Sequence, residues 1–211
     1  MQEELNALRL QLTEARIQRM EEVLAHRTRH LTVVLENLYQ AHNAAAVLRT
    51  CDCFGVQDAH IIENGNLFSP SAEVSSGADK WVDVIKYNEL ENNTEACLLK
   101  LKNQGYQIVA TDLSEDQVLL DELNIEKPTA IVFGTEMTGI SEKVREMADI
   151  RMKIPMYGFT QSFNISVSAA IILSRLKEKL MSGNIEWELS EDEKDLLRLA
   201  WYKKSIYAKK K

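Results

Sequence analysis

Ile154-Pro-Met-Tyr-Gly-Phe-Thr-Gln-Ser-Phe-Asn-Ile-Ser-Val-Ser-Ala-Ala170 is the stretch around which the chain reads as organised. An apolar run, Ile150 to Met156, carries Pro155 near its end, and a glycine-containing loop follows at 157–163. Asn164 then opens a helix of small and apolar residues through Leu173 and beyond. Asparagine caps helices well because its side-chain oxygen accepts a free backbone N–H. A strand, a polar loop and a capped helix form the join at which an open α/β sheet binds its ligand. An ordinary strand-to-helix turn closing a core has the same pattern, so this stretch alone leaves both readings open.

Working outward, the same alternation recurs. Thr129 to Phe133 reads as a buried strand that runs into Gly134-Thr-Glu-Met-Thr-Gly139-Ile-Ser141, and Ser141 caps a short helix with Glu142, Lys143 and Arg145. Tyr106 to Ala110 is a strand leading into Thr111-Asp112-Leu113-Ser114, followed by an acidic connection at 115–127. Further upstream lie a helix over 89–103 ended by Gly105, a strand from Trp81 to Tyr87, and a strand from His60 to Ile62. The polar loop between those strands, 64–80, is long enough to suggest function. Leu31 to Leu35 is a β-branched strand, and Asn43 is placed to cap the helix that Gly55 ends. Leu5, Leu8, Leu12 and Ala15, then Met20 and Val23 or Leu24, repeat at helical spacing and predict one helix over 2–26. At the other end the helix from Asn164 reaches about Met181, with Gly183 as the stop, and Ser190-Glu-Asp-Glu193 is a capping box for a last helix. Strands alternating with helices predict an α/β fold with a mostly parallel sheet and helices on both faces. The expectation is one domain of 1–211: an N-terminal helix (1–28), an α/β core (29–183) and a C-terminal helical extension (184–211).

Composition bounds the function. The 211 residues hold 45% hydrophobic side chains, enough for a sizeable core. No apolar run nears the length of a membrane span, and the acidic, amphipathic start does not resemble a secretion signal. Three cysteines, Cys51, Cys53 and Cys97, argue against a disulfide framework and for a reducing, cytoplasmic setting. Both Cys51 and Cys53 are expected to pack as small hydrophobes. A net charge of −7 disfavours nucleic acid when taken alone. The charge is unevenly spread, however. Arg198, Lys203, Lys204, Lys209, Lys210 and Lys211 cluster at the end with Trp201, Tyr202 and Tyr207, and Arg16, Arg19, Arg27 and Arg29 form a looser group with His26 and His30. A locally basic surface on an acidic protein is compatible with RNA.

Three strand-exit loops carry the candidate chemistry: 111–114, 134–141 and 154–163. In a parallel sheet such loops share the carboxyl edge. Gly134 and Gly139 bracket Glu136 and let backbone approach a ligand. Neither G-x-G-x-x-G nor a P-loop is present, which disfavours a dinucleotide-dependent oxidoreductase and a nucleoside-triphosphate site. No His/Cys/Asp/Glu grouping has metal-ligand spacing, so no metal is expected. Ser162 has no G-x-S-x-G elbow, and serine hydrolysis is unsupported. Arg49, in mid-helix, needs water or an anion, or else a salt bridge such as one to Asp52.

Asn43-Ala-Ala-Ala-Val-Leu-Arg49-Thr, Phe133-Gly-Thr-Glu136-Met-Thr-Gly139-Ile-Ser and Ile154-Pro-Met with Gln161-Ser-Phe-Asn164-Ile-Ser-Val-Ser-Ala-Ala resemble, in order and spacing, the three motifs of the SpoU family. These are 2′-O-ribose RNA methyltransferases of the knotted SPOUT class. The likeness covers roughly 16–180, and the segment Ser76-Gly-Ala-Asp-Lys-Trp81 also looks like a family segment. Within the family, the helix leading into LTVVLENLYQAHN is most similar to enzymes acting on guanosine 18 of tRNA. Relatives acting on large-subunit ribosomal RNA usually carry an extra N-terminal domain, for which this chain leaves no room.

The resemblance implies a C-terminal deep trefoil knot, a homodimer with its sites near the interface, and S-adenosylmethionine as cofactor. It implies cofactor contacts at Thr111, Gly134, Ile154, Met156 and Phe163. It makes Arg49 the essential arginine, with Asn43, Glu136, Ser162 and Asn164 holding Arg49, the loops and the ribose in register. His42, Arg16, Arg19 and Arg175 are RNA-contact candidates. Methylation of tRNA is the leading expectation. Ribosomal RNA or another tRNA position is the alternative, and a catalytically silent RNA-binding dimer is the third reading, disfavoured by the intact Asn43, Arg49, Glu136 and Asn164 set.

Overall fold

The computed structural model describes residues 1–66, 77–113 and 117–207. Most of the expected 64–80 loop, including Ser76, and Ser114 and the lysines at 209–211 lie outside these residues. A seven-stranded sheet runs in the order β3-β2-β1-β6-β4-β7-β5. Its strands are β1 (Leu31–Glu36), β2 (Asp58–Ile62), β3 (Asp83–Tyr87), β4 (Gln107–Thr111), β5 (Val118–Leu119), β6 (Thr129–Phe133) and β7 (Ile150–Lys153). Every pairing is parallel. The helices are α1 (Gln2–Arg9), α2 (Glu14–Leu24), α3 (Ala41–Cys53), α4 (Asn93–Asn103), α5 (Glu142–Met147), α6 (Ile165–Ser182) and α7 (Glu191–Tyr207).

Successive side chains of a strand face opposite ways, so one strand feeds two cores. On one face Leu31, Val33 and Leu35 of β1 pack with Ile131 and Phe133 against α3 (Val47, Leu48, Cys51) and α6 (Ala169, Ile172, Leu173, Leu176). On the other, Val34, Ile108, Ala110, Ala130 and Val132 meet α4 (Cys97, Leu98, Leu101) and Val144 of α5. Helices on both faces explain why β1 and β6 are buried at every position rather than at alternate ones. A third cluster joins α1, α2 and α7 through Leu5, Leu8, Met20, Leu24, Leu197, Trp201 and Tyr202.

Several expectations change. The single helix over 2–26 is two: the chain breaks at Leu10, which is exposed, and Thr13 caps α2 by accepting from the Arg16 N–H. Helical periodicity runs through the break because both helices turn their apolar side to the same cluster. Asn43 does not cap α3. That helix starts at Ala41, and Asn43 lies buried inside its first turn. Trp81 precedes β3 instead of opening it, and the acidic connection contains the short strand β5. Cys51 is buried as expected, but Cys53 is exposed. The caps at Ser141, Asn164 and Ser190 form as read, Ser190 donating to and accepting from Glu193.

Arg29 joins Asp58 and Asp83, while Arg27 is 1% exposed and pairs with Asp52. Asp52 is therefore the partner of Arg27 and not of Arg49. Gly55 ends α3 with φ +75°, and a Cβ there would overlap the His26 carbonyl. Gly55→Ala combines a strained backbone with a clash and is expected to lower unfolding free energy by at least ~1 kcal/mol in urea titration. His60 is buried against Tyr87, and desolvation followed by the charge of Lys100 lowers its pKa to about 4. Its neutral form belongs to the folded state, so its stabilising contribution is present above the unfolded pKa of ~6.5 and is lost as pH falls toward 4. His60→Gln should flatten the melting-temperature slope between those pH values.

Candidate active site

Parallel strands deliver their exits to one edge, and three exits meet here. β4 ends at Thr111, whose hydroxyl donates to the Val132 carbonyl (3.0 Å) and ties β4 to β6. Beyond it the Asp112 carboxylate is nearly buried and faces Arg145 of α5, with Nε–Oδ2 at 3.4 Å. The hydrogen bond with Asp112 is the main cause that raises the Arg145 pKa. β6 runs into a closed turn in which Thr135 and Gly139 exchange backbone hydrogen bonds of 2.9 and 3.0 Å. Gly134 lies so close to the far side of that turn that a Cβ would overlap Gly139 and Ile140. β7 leads through Ile154 and Met156 to the polar loop that ends at the cap of α6.

These exits enclose a cleft of about 590 Å³. Phe133, Met152, Ile165 and Ile172 line it with apolar surface, while Asp112, Glu136, Arg145, Lys153, Gln161 and Ser162 add polar groups. All five residues expected at a cofactor site, Thr111, Gly134, Ile154, Met156 and Phe163, line it, as do Glu136, Ser162 and Asn164.

Asn43 joins the loops. It is 3% exposed, and its Nδ2 donates to Glu136 Oε1 (2.5 Å) and to Gln40 Oε1 (3.2 Å). Its Oδ1 accepts from Asn164 Nδ2 at 3.2 Å. Asn164 meanwhile caps α6, accepting from the Ser166 N–H (2.9 Å) and hydroxyl (2.6 Å). Residues 43, 136 and 164 are thus one hydrogen-bonded unit. Arg49 stands apart from it. It lies six residues beyond Asn43 on α3, is exposed, and its side chain makes no hydrogen bond or ion pair among the described residues.

The RNA-contact candidates are dispersed. His42 is exposed near the start of α3 and Arg175 pairs weakly with Glu178 (3.6 Å) on α6. Arg16 and Arg19 line a different cavity of about 870 Å³, beside the far ends of α3 and α6. Arg16 covers the Trp81 ring at 5.2 Å and Arg19 pairs with Glu22. The larger cavity is not at the strand exits, and its cations already have partners. The sequence marks the loop that holds Asp112 but singles out neither that residue nor Arg145 and Lys153, whose signal is only position: just past β4, on the short helix after a glycine turn, and at the end of β7.

A family model described as the SpoU rRNA Methylase family matches residues 30–174. The chain belongs to the SpoU methylase family. Among relatives, the tRNA (guanosine(18)-2′-O)-methyltransferase of Borreliella burgdorferi is 42% identical over 195 residues, 92% of this chain and 88% of that protein. Its counterpart in Thermus thermophilus is 42% identical over 81% of this chain and 87% of that one. The crystal structure of the A. aeolicus TrmH/SpoU tRNA modifying enzyme superposes with a TM-score of 0.81 at 35% identity, covering 92% of this chain and 98% of that one. The SpoU methyltransferase AviRb from Streptomyces viridochromogenes, solved with AdoMet, shares the fold at 20% identity and a TM-score of 0.64 over 77% of this chain and 65% of that one. In this SpoU methylase the tight Gly134 turn is the most sterically demanding wall of the cleft. Gly134→Ala should cut methyl transfer by about 100-fold or more through displacement of that wall, read as initial rates at fixed enzyme concentration.

Proposed function

We propose that this enzyme transfers the methyl group of S-adenosylmethionine to the ribose 2′-hydroxyl of guanosine 18 in tRNA. The observation that carries the reading is the Asn43–Glu136–Asn164 unit beside a glycine-walled, partly apolar cleft, in a chain whose similarity to tRNA (guanosine-18) enzymes extends over nearly its whole length. The cleft suits the cofactor chemically. Gly134 brings bare backbone to its wall, Met152 and Ile172 offer an apolar floor, and Ile154, Met156 and Phe163 line the exit of β7. Thr111, Gly134, Ile154, Met156 and Phe163 would hold it.

The cofactor supplies a methyl group already activated by its sulfonium. What the chain must add is position and deprotonation of a weakly acidic hydroxyl. Arg49 does not act as base, because a guanidinium keeps its proton. Exposed and without a partner among the described residues, it is available to grip a phosphate bidentately, and its charge then lowers the hydroxyl's pKa. Asn43, Glu136 and Asn164 hold the loops in register, and Ser162 faces the cleft where the ribose enters. His42, Arg16, Arg19 and Arg175 are outer RNA contacts in this reading.

A homodimer is part of the proposal. Tyr39, Met137, Tyr157 and Phe159 stand exposed on the loops near the cleft, a set of large apolar side chains suited to burial against a second copy. So is the C-terminal trefoil knot, which rests on the family fold and is compatible with a strand order that sets β6 between β1 and β4 with β7 beyond. The chain is then one methyltransferase unit with helical extensions at 1–28 and 184–211. Among the described residues no helix is long and apolar enough to cross a membrane. A cytoplasmic setting follows from the tRNA substrate.

The test is transfer of labelled methyl from S-adenosylmethionine to unmodified tRNA transcript, with ribosomal RNA fragments alongside and the modified nucleotide mapped. Label on the ribose of guanosine 18 is expected, and label confined to ribosomal RNA would overturn the substrate. Arg49→Ala should abolish transfer while S-adenosylhomocysteine still raises the melting temperature. Equal loss of both would remove the role given to Arg49.

A further inference from the structure

Glu36 ends β1 as a carboxylate that is 3% exposed, and among the described residues it has no cationic partner. A buried charge without a counter-ion persists only when hydrogen bonds replace its water. Here they do. Glu36 Oε1 accepts from the Ser141 hydroxyl (2.6 Å) and the Thr94 hydroxyl (2.8 Å), and Oε2 accepts from the Ser141 N–H (2.9 Å). Thr94 in turn accepts from Asn64 Nδ2 (2.8 Å). Ser141 is the residue at which the 134–140 turn ends, and it also caps α5 through the Val144 N–H (3.2 Å).

The register makes this contact consequential. Leu35 pairs with Phe133, so Glu36 emerges beside the start of the same turn whose end it grips. The turn's two limbs touch at Gly134 and Gly139, and its far side carries Glu136, the partner of Asn43. A turn of this kind has two anchors: Asn43 at Glu136 and Glu36 at Ser141. Both anchors come from the segment leaving β1. We infer that Glu36 is a positioning residue for methyl transfer, fixing the glycine turn that walls the cleft and presents Glu136. This inference rests on the reading of the cleft as the cofactor site.

Glu36→Gln keeps the volume and one acceptor oxygen for the Ser141 and Thr94 hydroxyls, but its NH2 group replaces the oxygen that accepts the Ser141 N–H and sets two donors against each other. Hydrogen bonds to a charged group are strong enough that this change should weaken S-adenosylhomocysteine binding by about tenfold in calorimetry. The fold should survive, with far-UV circular dichroism unchanged. Initial rates of Glu36→Gln, Glu136→Ala and the double variant, at saturating cofactor, separate positioning from general stability. If Glu36 acts through the turn, the double variant is no slower than Glu136→Ala alone, whereas independent effects would multiply. Multiplying losses, or wild-type binding and rate in Glu36→Gln, would overturn the inference. Binding of S-adenosylhomocysteine does not depend on the RNA. A weakened affinity with no label on tRNA would therefore discard the substrate and keep Glu36, and an unchanged affinity with label at guanosine 18 would do the reverse.

Discussion

Asn43 is the contact on which the active edge depends. A parallel sheet brings strand exits to one edge but does not fix the loops to one another. That is done by a single buried amide, which donates to Glu136 from one loop and accepts from Asn164 on another. An amide is suited to this because it offers donors and acceptors in one plane. Its burial makes the bonds costly to lose, since an unpaired amide among Ala44, Ala45 and their neighbours would forfeit its solvation. The position explains why α3 is poor in large side chains at its start. Alanines let the helix approach α6 closely enough for Asn43 and Asn164 to touch.

The opposite ends of α3 and α6 are organised by charge. Arg27 is enclosed by Asp52, the Val56 carbonyl and the Trp201 ring, and Lys177 donates to the His26 carbonyl over Trp187. Burial lowers the Lys177 pKa to about 8. These groups tie the helical cluster of α1, α2 and α7 to the core. The basic residues of the C-terminal helix are largely spent in the same way: Arg198 meets Glu21 and Asp195, and Lys203 meets Glu4. Among the described residues of that cluster, Arg198 and Lys203 are thus committed to ion pairs and Lys204 donates to the Lys80 carbonyl.

Much of the fold was legible because local rules act within a few residues. Caps at Ser141, Asn164 and Ser190, the stop at Gly55 and the β-branched runs of β1 and β6 declare themselves through side-chain chemistry next to the backbone they serve. The same rules misled at Asn43. Its cap chemistry is real, but a partner ninety-three positions away, Glu136, took the amide, and α3 began earlier. Likewise the apolar repeat over 2–26 records which side faces the core and is blind to the break at Leu10, because both α1 and α2 bury into one cluster. The two-residue strand β5 has no periodicity to read and exists only because β7 offers an open edge.

For the site, the sequence by itself determined the alternation of strands and helices, the three glycine- and asparagine-marked loops, and hence the edge at which ligands bind. These follow from residue type and spacing. Tertiary structure alone decided which polar groups meet. Asn43 with Glu136 and Asn164, Glu36 with Ser141 and Thr94, and Arg27 with Asp52 are pairs between distant segments. Such pairs depend on strand order, and strand order depends on how the whole chain packs. Local propensity shows where a polar side chain sits along the chain, and only the folded geometry shows what satisfies it.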